Sequence, residues 1–207
     1  MAVTVKPVTA STGLDALTQL IEPYVSVRAN PMTDVFCLEG LPRVRLSLER
    51  AFSDGRDREA RTDMSWASLL GGLALANAGL GIVHGFAAPV GGMFDAPHGA
   101  ICAALLPHAM RINIQALRGR EPDGTALDRY RRIAAILTRD ERAEPEDGAD
   151  WVAGLCARLR IEPLSAYGVE YAHLETLVEK ASRASSTKGN PIELKPTEMR
   201  TVIESAL

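Results

Sequence analysis

Apolar residues along this chain recur three and four positions apart rather than in alternation, which is the period of a helix with one buried face. Leu14, Leu17 and Ile21 mark a first helix running through about Val27, with Thr12 as its N-cap and Asp15 three residues on in a capping box. Asn30 before Pro31 repeats the start signal. Val35, Phe36, Leu38 and Leu41 then continue a buried face until Pro42, which should kink or divide the segment before Val44, Leu46 and Leu48 resume it. The charged run FSDGRDREARTD is turn-like, and a long helix is expected from about Arg58 to Leu80. Its second half, SWASLLGGLALANAGLG, is apolar nearly all round, as a buried central helix should be.

Residues 77–111 read NAGLGIVHGFAAPVGGMFDAPHGAICAALLPHAMR, two apolar helical segments joined by a Gly/Pro-rich loop. His84 is expected to close the first helix and His98, after Pro97, to open the second, within which Pro107 suggests a kink. Beyond the loop GREPDGTALD come a short amphipathic helix at YRRIAAILT and a helix with Trp151, Val152, Leu155 and Leu159 on one face. Another carries Leu174, Leu177 and Val178, and a last short one follows Pro196. Seven or eight helices with no alternating strand and no fixed repeat give an all-α multi-helix bundle. Residues 1–10 are set aside as an N-terminal arm, leaving 11–207 as one helical domain.

Composition agrees with that reading. Apolar residues are 46% of the chain but aromatics only 5%, so the core is built from Ala, Leu, Val and Ile. A net charge of −3 and a pI near 5.8 offer no basic face, so neither nucleic acid nor a membrane surface is expected as a partner. The start MAVTVKPVTA lacks the pattern of a secretory signal, and no apolar run reaches the roughly 18 residues of a membrane span. Cys37, Cys102 and Cys156 are an odd number at irregular spacing without CxxC, read as ordinary buried thiols in a reducing, cytoplasmic setting.

Three of the four histidines lie in residues 77–111, and nothing else in the chain concentrates chemistry in this way. Asp15 and Gln19, four apart, project from one helix face. With His84 and His98 they make a two-oxygen, two-nitrogen donor set suited to a borderline divalent metal. A neutral His98 at a helix N-terminus, where the dipole opposes protonation, would be ready to ligate. The plainer readings stand beside this: Asp15 as a capping residue, Gln19 as a solvated helix residue, His108 in LLPHAM as a core residue, and His173 beside Tyr171 as surface or structural.

The stretches GLDALTQLIEPYVS, ANPMTD and NAGLGIVHGFAAPVGGMFDAPHGAICAALLPHAMRIN resemble the iron-containing alcohol dehydrogenase family, which shares the dehydroquinate synthase-like fold. The resemblance runs from about Ser11 to the C-terminus, where KGNP before a terminal helix also fits. It implies the family's helical, metal-binding C-terminal domain, a divalent metal (iron first, zinc second) held by Asp15, Gln19, His84 and His98, and NAD(P)-linked oxidation of an alcohol or reduction of an aldehyde or ketone. Two positions depart from the pattern. Gln19 stands where the family has histidine, and Ala88 stands where a second histidine assists proton transfer. A nucleotide-binding domain is expected in the family before the helical one, and no GxGxxG turn occurs in this chain: Gly71-Gly72 is read as helix packing and Gly91-Gly92 as loop flexibility. By that resemblance the lone chain is expected to be incomplete and not to turn over, its nucleotide-binding domain coming from a separate chain or missing through truncation. The expected partners are a small alcohol or aldehyde, that separate nucleotide-binding chain if there is one, and further copies of the chain in a homo-oligomer. The alternative is a non-catalytic helical binding or assembly protein that keeps the fold.

Overall fold

In the computed structural model, which describes residues 6–207, helices follow one another as α1 (Lys6–Val25), α2 (Pro31–Ser53), α3 (Arg58–Ala78), α4 (Ile82–Met93), α5 (His98–Arg120), α6 (Thr125–Thr138), α7 (Pro145–Arg158), α8 (Leu174–Arg183) and α9 (Pro196–Glu204). No strand occurs among the described residues, as the periodicity indicates. The bundle centres on α1 and α5. Leu14, Leu17, Leu20 and Ile21 of the first meet Ile101, Leu105 and Leu106 of the second in one continuous apolar core. An 18-residue window of α5 has a mean hydropathy of 1.2, high enough for a membrane span, but 78% of it is buried in the protein. Its apolarity is that of a core helix.

Several local signals act as the sequence dictates. Asn30 caps α2 by accepting from the N–H groups of Met32 and Thr33, while Thr33 Oγ1 accepts from the Asn30 N–H. Arg129 on α6 grips both Asp34 oxygens at 2.6 and 2.9 Å and donates to the Tyr24 carbonyl, tying α6 to the first two helices.

Other expectations are corrected. The first helix begins at Lys6, so residues 6–10 of the expected arm are helical, and residues 1–5 lie outside the described residues. Thr12 is therefore no N-cap: its hydroxyl donates to the Val8 carbonyl one turn back, and Asp15 is released from any capping role. Pro42 does not divide its segment but lies inside α2, while Pro107 lies inside α5 as its place in the apolar run implies. The stretch after His84 is not a loop but the body of α4, with Pro89 and both Gly91 and Gly92 in helical conformation. His84 consequently opens α4 instead of closing α3, because the Gly-Leu-Gly at 79–81 breaks the chain there and turns the helix axis by 101°. Finally, α3 is not the buried centre. It packs through Ala60, Ala67, Leu70, Gly71 and Ala74, and leaves Trp66, Leu69 and Leu73 about half exposed on its other side.

Candidate metal centre

Asp15, His84, His98 and Cys102 converge from α1, α4 and α5, with one donor atom from each all within 4.8 Å of one another. Backbone geometry brings them together. Gly99, beside His98, lies so close to α1 that an added Cβ would stand 2.5 Å from the Ser11 carbonyl oxygen, so only glycine lets the start of α5 approach the Asp15 turn. The start of α4 is pinned from the far end of the chain. Asn190 in the KGNP stretch accepts from the Ile82 N–H, and its amide exchanges hydrogen bonds with buried Asn113, which also reaches Tyr130.

Glu22, two helical turns beyond Asp15 on the same face of α1, fixes the ring of His84. One of its oxygens accepts from the Val83 N–H at 2.7 Å, and the other lies 2.6 Å from His84 Nδ1. A buried carboxylate at that distance holds the proton on Nδ1 and turns Nε2 towards Asp15, the arrangement that orients metal-ligating histidines. His84 Nε2 lies 3.4 Å from Asp15 Oδ1, and His98 Nε2 lies 3.7 Å from the same oxygen. Gln19 Nε2 donates to the other oxygen, Asp15 Oδ2, at 2.9 Å. The carboxylate is thereby held with Oδ1 facing the two imidazoles.

Asp15 Oδ1 is buried and is the one such side-chain oxygen or nitrogen among the described residues that has no hydrogen-bond partner. Leaving it unpaired costs about 1–3 kcal/mol, more for a charged group, unless a cation supplies the missing interaction. The electrostatics agree. Burial opposes charge on His84, but its contacts with Asp15, Cys102 and Glu22 prevail and push its pKa up to about 12. Burial would raise Asp15, yet the two histidines hold its carboxyl below the usual range. The centre therefore attracts positive charge, and a proton and a divalent ion are rivals for the same Nε2 lone pair. Separations of 3.4 and 3.7 Å suit a tetrahedral ion, whose N and O donors stand about 3.4 Å apart at bonds of about 2.0–2.1 Å. His84 is buried and His98 is half exposed, so the centre opens to solvent on the His98 side.

Residues 9–207 match the family described as Fe-containing alcohol dehydrogenase family, C-terminal. The chain belongs to that family. Alcohol dehydrogenase 4 of Saccharomyces cerevisiae is 36% identical over 199 residues, which cover 96% of this chain and 50% of the yeast protein. The 1,3-propanediol dehydrogenase of Citrobacter freundii is 35% identical over 191 residues, covering 89% of this chain and 47% of that one. Among solved structures, a 1,3-propanediol oxidoreductase superposes with a TM-score of 0.88 at 30% identity, over 99% of this chain and 53% of that one. The alcohol dehydrogenase from Oenococcus oeni does so with a TM-score of 0.88 at 32% identity, over 99% and 52%. The chain thus spans about half the length of these iron-type alcohol dehydrogenases, and it corresponds to their helical part.

Of the four residues singled out by sequence, Asp15, His84 and His98 meet around one point, and Gln19 joins them through its amide N–H to the aspartate. Sequence reasoning missed Cys102 and Glu22. Both carry a signal that could have found them: Cys102 is four residues beyond His98 on one helix, and Glu22 completes an i, i+4, i+7 row with Asp15 and Gln19 along one face of the first helix. His108 and His173 keep their plain roles. The first is partly buried in α5, and the second accepts from the Glu170 N–H while its ring meets Phe94 edge-on at 5.0 Å.

Proposed function

We propose that this chain is the metal-binding half of an NAD(P)-linked dehydrogenase that interconverts small alcohols with aldehydes or ketones. The observation that carries the reading is the buried, unpartnered Asp15 Oδ1 facing Nε2 of His84 and of His98. A divalent ion bound there supplies Lewis-acid chemistry, drawing electron density from a substrate oxygen. Asp15 and the two histidines hold the ion, Glu22 keeps the proton of His84 on Nδ1, and Gln19 braces the carboxylate from behind. Substrate approaches from the His98 side, where the centre is open. Ala88 lies one turn beyond His84 on α4 and carries no titratable group, so the substrate hydroxyl proton leaves through water. The nicotinamide comes from a nucleotide-binding domain of the kind the full-length relatives have room for.

The exposed row of Trp66, Leu69 and Leu73 on α3 supports self-association, because side chains of this size at i, i+3 and i+7 make a continuous apolar stripe. The same stripe favours a second reading, a non-catalytic assembly protein that keeps the fold. Elemental analysis of the purified chain after loading with iron or zinc separates the two. One equivalent of metal per chain is expected, and a chain that stays at background levels overturns the catalytic reading.

A further inference from the structure

We propose that Cys102 is a metal ligand: its thiolate completes a four-donor site with Asp15, His84 and His98, and this suits zinc or cobalt better than a harder cation. The inference rests on reading the centre as a metal site. Cys102 lies one turn after His98 on α5 and is completely buried. Its Sγ stands 3.6 Å from His98 Nε2 and 3.9 Å from His84 Nε2, the two nitrogens that face the centre. A tetrahedral ion with bonds of about 2.3 Å to sulfur and about 2.0 Å to nitrogen places those donors about 3.6 Å apart. Four of the donor separations, 3.4 and 3.7 Å to Asp15 Oδ1 and 3.6 and 3.9 Å to Cys102 Sγ, thus lie near those of a tetrahedral shell, and all four donors fall within 4.8 Å of one another.

The alternative occupant of the fourth position, Gln19, directs at the carboxylate its amide nitrogen, a donor that cannot ligate, and gives that hydrogen bond to Asp15 Oδ2. The other two cysteines behave differently. Cys37 is packed on α2 within the apolar core, and Cys156 donates to the Ala103 carbonyl. As the sulfur–metal bond forms, the Cys102 S–H proton passes to water, leaving a thiolate that selects softer ions.

Cobalt(II) reports the ligand directly. The chelator-stripped chain, given one equivalent of cobalt(II), is expected to show a thiolate-to-cobalt charge-transfer band in the near ultraviolet with intense four-coordinate bands in the visible. Cys102→Ser is expected to lose the charge-transfer band and to bind zinc more than about 100-fold more weakly, beyond the cost of losing an outer-shell partner. X-ray absorption of the zinc-loaded native chain needs no variant and is expected to show one sulfur at about 2.3 Å. Cobalt bound without the band, a zinc shell free of sulfur, or a band that survives in Cys102→Ser overturns the role of Cys102 while leaving the metal centre standing. A native chain that binds neither ion overturns the metal-centre reading itself.

Discussion

Glu22 decides which nitrogen of His84 faces the centre, since a carboxylate 2.6 Å from Nδ1 keeps a proton there and leaves Nε2 as the nitrogen for which a proton and a metal ion compete. Replacing it by Gln keeps an oxygen for the Val83 N–H but removes the charge that holds the ring. Glu22→Gln is therefore expected to weaken zinc binding by about 10- to 100-fold with the fold intact, read by competition against a chromophoric chelator. Unchanged affinity would contradict the orienting role. His108 shows a different use of histidine. Burial, and then the nearby Arg111, lower its pKa, so below the unfolded value of about 6.5 the unfolded chain binds the extra proton more readily than the folded one. Stability from a neutral His108 is present above that pH and is lost as the pH falls. Urea unfolding at about pH 7 and about pH 5.5 should show a smaller acid loss in His108→Gln than in the native chain.

The helix that carries His84 is anchored by residues more than a hundred positions away. Asn190→Ala strips the partner from the Ile82 N–H and from Asn113 inside the core, which should cost about 3 kcal/mol of unfolding free energy in urea titration. A loss near zero would mean that α4 is held by packing alone. This anchoring also shows why some elements were legible in the sequence and others were not. Asn30 and Pro31 announce the start of α2 because capping chemistry is local and complete within four residues. The start of α4 is invisible in that sense: its first N–H groups are satisfied by Asn190 and Glu22, so Gly- and Pro-rich residues that read as a loop stand as a helix. Thr12 looks like a cap, but its hydroxyl is equally content bonding back to Val8. In α3, apolar residues occur on two sides, and only packing reveals that the Ala/Gly side faces the core.

At the scale of the whole molecule, the apolar stripe of Trp66, Leu69 and Leu73 sits on the opposite side of α3 from its packed face. Sedimentation velocity should show concentration-dependent association of the native chain, and Leu69→Lys with Leu73→Lys should shift it to monomer. A native chain that is monomeric at high concentration would show that this surface drives no self-association. The candidate site was legible as far as its histidines and aspartate, because a helix places residues four apart on one face and His84 and His98 bracket one dense stretch. Cys102 and Glu22 carry only a spacing signal in the sequence, and what they face is seen once α1, α4 and α5 are brought together. Whether those helices hold a metal is measured directly by calorimetric titration of the chelator-stripped chain with zinc. One ion bound per native chain, with binding lost in the His84→Ala and His98→Ala variants, is the expected result. Either no binding by the native chain, or equal binding by the variants, would contradict it.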